Sequence, residues 1–227
     1  TAKIMGQTTV PLDIVLVLDV SGSMEDTDKD GVKKIEKLKG AVNSFIDTTA
    51  DKNDALSDTN KQSRISLVKF AGDTTDKIGN DTYRDKGYIY NYTQIVSEYE
   101  ACTSADKEKL KGKVSALKPA GATAADFAME HAKTLVEQSK TDEAKSSDRK
   151  NVKRIVIFFT DGEPNHNSGF NSKVADDAIY AAKSIKGDAS IYTIGVFDDA
   201  DASITGSTGL WWTNKEKFNA YMHGMSS

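Results

Sequence analysis

The feature of the sequence that most restricts the fold is an uninterrupted apolar run, IVLVL at residues 14–18, that ends abruptly in polar residues. Such a run is typical of a strand covered on both faces, as in a parallel sheet flanked by helices. Asp19, Ser21 and Ser23 follow it, so a carboxylate and two hydroxyls lie at the carboxyl end of the strand. Open α/β sheets bind ligands at that end, which makes these three residues candidates for a binding site.

Strand-like and helix-like segments alternate along the rest of the chain. Runs or alternation of apolar residues predict strands, and apolar residues three or four positions apart predict helices. The predicted strands lie near residues 64–70, 152–160 and 189–197. The predicted helices lie near residues 31–50, 107–117, 121–137 and 173–185. We therefore expect one α/β domain over residues 1–227, with a doubly wound, mainly parallel central sheet flanked by helices.

Two segments depart from this alternation. Residues 76–100 are rich in Tyr, Ile and Thr, which favours a hairpin or an extended excursion near a sheet edge. Residues 138–151 contain no large apolar residue and are expected to form an exposed, mobile loop. We accordingly expect insertions into the domain near residues 76–105 and 138–151.

Composition and charge exclude several classes of function. The chain has 227 residues, of which 38% are hydrophobic, and a net charge of −4. Nucleic-acid binding depends on basic patches, and no apolar run approaches the length of a membrane span, so neither nucleic acid nor membrane insertion is expected. The single cysteine, Cys102, excludes an intramolecular disulfide and a Cys-ligated metal site. Because the chain begins at Thr1 without a signal segment, we expect a mature or excised piece.

A second buried strand and a helix start complete the candidate site. The strand near residues 152–160 ends in an aspartate just as the first strand does, and a threonine opens the long helix between them. In a doubly wound sheet the ends of these two strands flank one crevice. The side chains expected to converge there are Asp19, Ser21, Ser23, Thr123 and Asp161. Two carboxylates and three hydroxyls suit a hard cation, with Mg²⁺ favoured and Mn²⁺ or Ca²⁺ as substitutes.

These motifs carry a resemblance to a known family. DVSGS at residues 19–23, GAT at residues 121–123 and TDGE at residues 160–163 resemble the metal-ion-dependent adhesion site of von Willebrand factor A domains. The resemblance spans nearly the whole chain and implies that the two serines and the threonine bind the metal directly, while the two aspartates hold its waters. It also implies a last strand and helix after residues 222–227, so we expect this chain to stop before the domain does.

The resemblance extends, beyond the site, to the A domains of pilus-tip adhesins and related surface proteins of Gram-positive bacteria. It implies a binding module and not an enzyme, located outside the cell on the cell wall or a pilus. A cation held by neutral hydroxyls stays electron-poor, so the expected partner is an extracellular protein that offers a carboxylate, and other pilus subunits are further candidate partners. The alternatives are a structural pilus or matrix module with a stabilising metal, and an intracellular A domain of an ATP-driven chelatase-type complex.

Weaker patterns point to other chemistry. The acidic loop at residues 26–30 resembles a Ca²⁺ loop, but its twelfth position is Lys37 where a glutamate is required. A second acidic cluster at residues 198–201 is likewise expected to be a solvated loop, with a place on the rim of the site as the alternative because it follows a predicted strand. A serine nucleophile with His131 or His166 as base lacks the nucleophile-elbow pattern. Nothing near Cys102 activates its thiol, which we expect to be inert.

Overall fold

The computed structural model describes residues 9–76, 79–195 and 214–227. Within these ranges the chain forms seven strands and five α-helices. The strands are β1 (Leu12–Asp19), β2 (Arg64–Phe70), β3 (Thr82–Asp85), β4 (Tyr88–Asn91), β5 (Gln94–Ala101), β6 (Lys153–Thr160) and β7 (Ser190–Gly195). The helices are α1 (Lys34–Asp54), α2 (Lys107–Ser115), α3 (Ala125–Lys145), α4 (Ser172–Ile185) and α5 (Asn214–Met225). The elements predicted at these positions are all present.

Five of the strands form the central sheet in the order β5-β2-β1-β6-β7. The strands β2, β1, β6 and β7 are parallel, and β5 runs antiparallel at one edge. The prediction of a mainly parallel central sheet is therefore confirmed. Because β1 and β6 are direct neighbours, the residues that follow them meet at the same edge of the sheet, which we call the carboxyl edge.

The two faces of the sheet are covered by different helices. Val15 and Val17 of β1 pack into a buried cluster with α3, α4 and α5 on one face. Leu16 and Leu18 point the other way, into a cluster with α1 and α2. All four side chains are almost completely buried, which explains why β1 carries no polar residue between Asp13 and Asp19. The doubly wound arrangement predicted from the apolar runs is thus observed.

The prediction of a loop over residues 138–151 is wrong for its first part, because α3 continues to Lys145. Polar contacts replace the missing apolar anchor. The buried hydroxyl of Ser139 donates to Asp13 Oδ2 at 2.7 Å, and Glu143 forms an ion pair with Arg154 of β6. These contacts reach the sheet from the helix, so the helix is stabilised by tertiary structure that a local pattern does not contain.

The segment near residues 76–100 matches its prediction. The strands β3 and β4 form a two-stranded hairpin outside the central sheet, and β5 is the antiparallel edge strand. At the opposite edge, α5 packs against α4 and β7, and Ser227 N donates to the carbonyl oxygen of Ile191 in β7 at 2.9 Å. A helix therefore follows β7, whereas the further strand and helix that the family pattern implies are not among the described residues.

Candidate metal centre

Asp19 joins the ends of the two central strands. It is fully buried, and its Oδ1 accepts the backbone N–H of Ser21 at 2.8 Å. Its Oδ2 accepts the hydroxyl of Thr160, the last residue of β6, at 2.6 Å. The sequence did not identify Thr160 as a site residue, because only the pairing of β1 with β6 places its hydroxyl beside this carboxylate. Both carboxylate oxygens are thus fixed from neighbouring elements.

A chain of hydroxyls links the first strand to the second aspartate. Ser21 Oγ lies 3.0 Å from Ser23 Oγ, and Ser23 Oγ donates to Asp161 Oδ1 at 2.9 Å. The turn after β1 becomes a short 3₁₀-helix at Gly22–Glu25, which keeps both serines beside the end of β6. Four of the five predicted side chains therefore lie in one connected cluster of oxygen atoms.

Thr123 reaches the cluster from the loop before α3. Its backbone pairs with that of Asn165 through hydrogen bonds of 3.1 and 2.9 Å, and this pairing holds it against the loop that follows β6. A Cβ atom at Gly162 would lie 3.3 Å from Thr123 Oγ1 and 3.4 Å from Ser23 Oγ. The two hydroxyls therefore approach the same point beside Gly162, where the absence of a side chain leaves room between them. The structure thus brings all five predicted residues together at the carboxyl edge.

The charge distribution of the cluster is unbalanced. Desolvation by burial and repulsion from Asp161 raise the pKa of Asp19 to about 7. Lys34, the first residue of α1, supplies positive charge, since its Nζ lies 3.0 Å from Asp161 Oδ2 and the two side chains are only 8% and 1% exposed. One of the two buried carboxylates, Asp161, thus has a buried ammonium group as partner. The sequence does not indicate Lys34 as a site residue, because a lysine at a helix start is normally solvated.

The donor set fits a hard divalent cation. It consists only of oxygen atoms, from two carboxylates and three hydroxyls, which suits Mg²⁺ with retained waters. Across the described ranges there is no group of three or more His, Cys, Asp or Glu side chains able to hold a metal, so the hydroxyls are an essential part of this set. A cation at this position would also offset the excess negative charge that burial makes costly.

The acidic loop at residues 26–30 is held by its own hydrogen bonds and by ion pairs. In the acidic loop, Asp28 Oδ1 accepts the backbone N–H groups of Asp30 and Val32, and Lys37 pairs with the same carboxylate. The residue that replaces the required glutamate therefore forms ion pairs with the loop. The cluster at residues 198–201 lies outside the described residues.

The alternatives of a nucleophilic serine and a reactive cysteine gain no support from the geometry. His166 Nε2 pairs with Asp126 at 2.9 Å, and the hydroxyl of Ser23 donates to a carboxylate and not to an imidazole. Burial raises the pKa of Cys102 to about 11, so its thiolate form is scarce at neutral pH. The prediction of an inert Cys102 agrees with this environment.

The sequence pattern of the von Willebrand factor type A domain matches residues 14–163. The chain belongs to the von Willebrand factor type A family. All five candidate residues of this A domain fall inside the matched segment. No curated protein sequence matches the chain.

Solved structures with the same fold include several pilus proteins. The pilus adhesin SpaC from Lactobacillus rhamnosus GG has 16% identity and a TM-score of 0.62, over 97% of this chain and 28% of SpaC. The von Willebrand domain of the type V pili tip protein Mfa5 from Porphyromonas gingivalis has 14% identity and a TM-score of 0.61, over 97% of this chain and 88% of that one. The PilB minor pilin from Streptococcus sanguinis has 14% identity and a TM-score of 0.55, over 86% of this chain and 51% of the PilB chain. At these identities the A domain shares their fold, and it spans little more than a quarter of the length of SpaC.

Proposed function

We propose that this A domain is a cation-dependent binding module of a pilus or cell-surface protein, and that it recognises an acidic group on an extracellular protein. The observation that carries the proposal is the partly buried cluster in which Ser23 Oγ lies between Ser21 Oγ and Asp161 Oδ1 at 3.0 and 2.9 Å. Asp19 stands in the same cluster with a pKa raised to about 7. Such a set of oxygen atoms has excess negative charge, which a divalent cation would offset.

Each residue of the cluster has a distinct task in this proposal. Ser21, Ser23 and Thr123 would hold the cation through neutral oxygens, and Asp19 and Asp161 would hold its waters. A bound cation supplies an electron-poor centre whose open coordination position takes a carboxylate from the partner. Thr160 keeps Asp19 in place through its hydroxyl, and Lys34 does the same for Asp161. No residue of the cluster is assigned a proton transfer or a nucleophilic attack, so we propose binding without catalysis.

The location and the wider partners rest on the relatives. The structures named as a pilus adhesin, a pili tip protein and a minor pilin share this fold, which supports a place on a pilus or the cell wall and contact with other pilus subunits. None of the described helices is long and apolar enough to cross a membrane. A purely structural pilus module is the competing hypothesis, in which the metal stabilises the domain and no external ligand exists.

The test measures binding of the domain to immobilised collagen, fibronectin and fibrinogen in Mg²⁺ and in EDTA. We expect binding to at least one of them in Mg²⁺, its loss in EDTA and its return when Mg²⁺ or Mn²⁺ is added. Equal binding in EDTA at low ionic strength would contradict the mechanism. Stabilisation by Mg²⁺ without binding to any of the three proteins would favour the structural module.

The ion pair between Lys34 and Asp161 gives a separate prediction. Changing Lys34 to methionine removes a buried positive charge beside the candidate metal centre, so we expect the affinity for Mg²⁺ to rise by about tenfold, or about 1.4 kcal/mol. Without metal, the variant should lose about 3 kcal/mol of unfolding free energy, because Asp161 keeps a buried charge with no counter-ion. Calorimetric Mg²⁺ titration and thermal unfolding in EDTA measure the two effects.

Lys37→Met is the matched control for this prediction. Lys37 lies on the same helix and also pairs with an aspartate, Asp28, but its side chain is 45% exposed. We expect its loss to change the Mg²⁺ affinity by less than about twofold, since exposed charges are screened by solvent. Equal Mg²⁺ affinity in the two variants would refute the role of Lys34.

A further inference from the structure

An open groove of about 790 Å³ borders the candidate metal centre. The first wall is the tip of the β3–β4 hairpin, within residues 85–90, and His166 and Asn167 also line the groove. Gly121 is a further lining residue, two positions before Thr123, and its carbonyl oxygen accepts the N–H of Gly22 at 2.9 Å. Through this hydrogen bond the groove adjoins the turn that carries the candidate metal-binding serines. Its volume is in the range of ligand-binding clefts.

The hairpin that forms the first wall has a defined internal structure. Lys86 and Gly87 at its tip have φ angles of 47° and 89°, the left-handed pair that a tight two-residue hairpin turn requires. The ring of Tyr83 stacks on Tyr90 with centroids 5.4 Å apart and packs against Tyr92 at 4.8 Å. These contacts compensate for the small size of a two-stranded sheet, which is marginally stable alone.

The hairpin is also fixed to the residues around the candidate metal centre. Asn91, at the end of β4, donates its side-chain amide to the carbonyl oxygen of Val20 at 3.1 Å, and its backbone N–H to that of Ala120 at 3.1 Å. Tyr90 packs so closely on Gly121 that a Cβ there would lie 2.7 Å from the tyrosine ring. Only glycine allows this contact. Its φ of 99° lies in the left-handed region, which also favours glycine. The first wall is therefore held in place before any ligand binds, which lowers the entropic cost of binding.

The side chains at the hairpin tip have no role in the core. Tyr88 is 70% exposed and Ile89 is 46% exposed, although both belong to types that proteins tend to bury or use at interfaces. Asp73 and Asp85 line the same groove, and the hydroxyl of Tyr83 donates to Asp73 Oδ1 at 3.1 Å. The groove thus combines an exposed apolar and aromatic surface with two carboxylates and one ammonium group, that of Lys86, so negative charge prevails in its lining.

We propose that this groove binds an extended protein segment in which an acidic residue is followed or preceded, within a few positions, by lysine or arginine. The acidic residue would face the candidate metal centre, apolar side chains would pack on Tyr88 and Ile89, and the basic residue would face Asp73 and Asp85. This proposal rests on the proposed function and names the class of ligand for the same site. The two carboxylates complement a cationic side chain, which protein segments offer and neutral glycans lack.

The probe is an array of eight-residue synthetic peptides that contain one fixed aspartate. Each peptide carries a lysine, an alanine or a glutamate at one of the other positions, and binding is measured in Mg²⁺. We expect lysine peptides to bind at least fivefold more tightly than their alanine and glutamate counterparts. The double variant Asp73→Asn, Asp85→Asn should lose this preference, and Tyr88→Ala should weaken all binding about tenfold, the usual effect of removing an aromatic anchor.

Tyr192→Ala is the matched control, because Tyr192 is 55% exposed but lies on β7 at the opposite edge of the sheet. Circular dichroism of each variant verifies folding. The proposal is overturned if the lysine preference survives in the double aspartate variant, if Tyr88→Ala binds like Tyr192→Ala, or if neutral glycans bind in place of the peptides. Asp19→Asn separates the two proposals, since an intact lysine preference in that variant supports the groove while refuting the metal mechanism.

Discussion

Replacing Asp13 with alanine is expected to destabilise the domain by about 3–5 kcal/mol, because two arginines would lose their shared buried counter-ion. Asp13 is fully buried in β1, at the end of the sheet opposite the candidate metal centre. It accepts hydrogen bonds from Arg64 at 2.6 and 2.9 Å, from Arg149 at 2.6 Å and from Ser139 at 2.7 Å. The carboxylate therefore connects β1, β2, α3 and the loop before β6, and urea unfolding of the variant measures its contribution.

The pH dependence of stability provides a second readout of this network. Burial acts to raise the pKa of Asp13, but hydrogen bonds from Arg64 and Ser139 and the charges of both arginines hold it below its ordinary value of 3.8. A lowered carboxyl pKa gives stability that is fully present above pH 3.8 and is lost as the pH falls through the folded-state value. We expect the acid limb of the wild-type stability curve to be shallower in Asp13→Ala.

Asp142→Ala is the control for the same network. Asp142 lies 3.2 Å from Arg64, but its side chain is 38% exposed, so its loss should cost no more than about 1 kcal/mol. Equal losses of unfolding free energy in the two variants would contradict the prediction that burial makes Asp13 the more important counter-ion.

The fold could be predicted largely from the sequence, because a strand that is buried on both faces has a continuous apolar sequence. The run at β1 is apolar since helices cover both sides of that strand. In β6, Val156 and Phe158 are buried on one face, whereas the apolar side chains on the other face are only partly buried. The prediction of a second fully buried strand therefore holds for one face of β6 only. The continuation of α3 to Lys145 could not be predicted in this way. Ser139 and Glu143 are stabilised there by Asp13 and Arg154, which are close in space and not in a local window of sequence.

The five candidate residues could be predicted because each stands beside an element boundary with its own pattern. Asp19 ends β1, Asp161 follows β6, and Thr123 lies two residues before the start of α3. Lys34 could not be predicted, since its ion pair with Asp161 joins residues far apart in the chain. The groove could not be predicted from the sequence either, because it depends on the packing of Tyr90 on Gly121. Neither residue belongs to a sequence pattern that indicates a contact between them.

Asp19→Asn is expected to change stability in opposite directions with and without metal. With Mg²⁺ at about 100 times its Kd, the wild-type domain should gain about 2.7 kcal/mol of unfolding free energy, and the variant should gain almost none because a carboxylate of the donor set is lost. Without metal at pH 7, the variant should be more stable than wild type by about 1–2 kcal/mol. Thermal unfolding of both proteins in EDTA and in excess Mg²⁺ measures these differences.

The higher stability of Asp19→Asn without metal follows from the removal of a buried negative charge. A pKa of Asp19 raised from 3.8 to about 7 means that its ionisation costs up to about 4 kcal/mol in the fold, and losing the bonds from Ser21 and Thr160 offsets part of this gain. Thr123→Ala is the uncharged control, and it should lose the Mg²⁺ effect without gaining stability in EDTA. If Mg²⁺ still stabilises Asp19→Asn as much as wild type, the cluster at the carboxyl edge is not the metal centre.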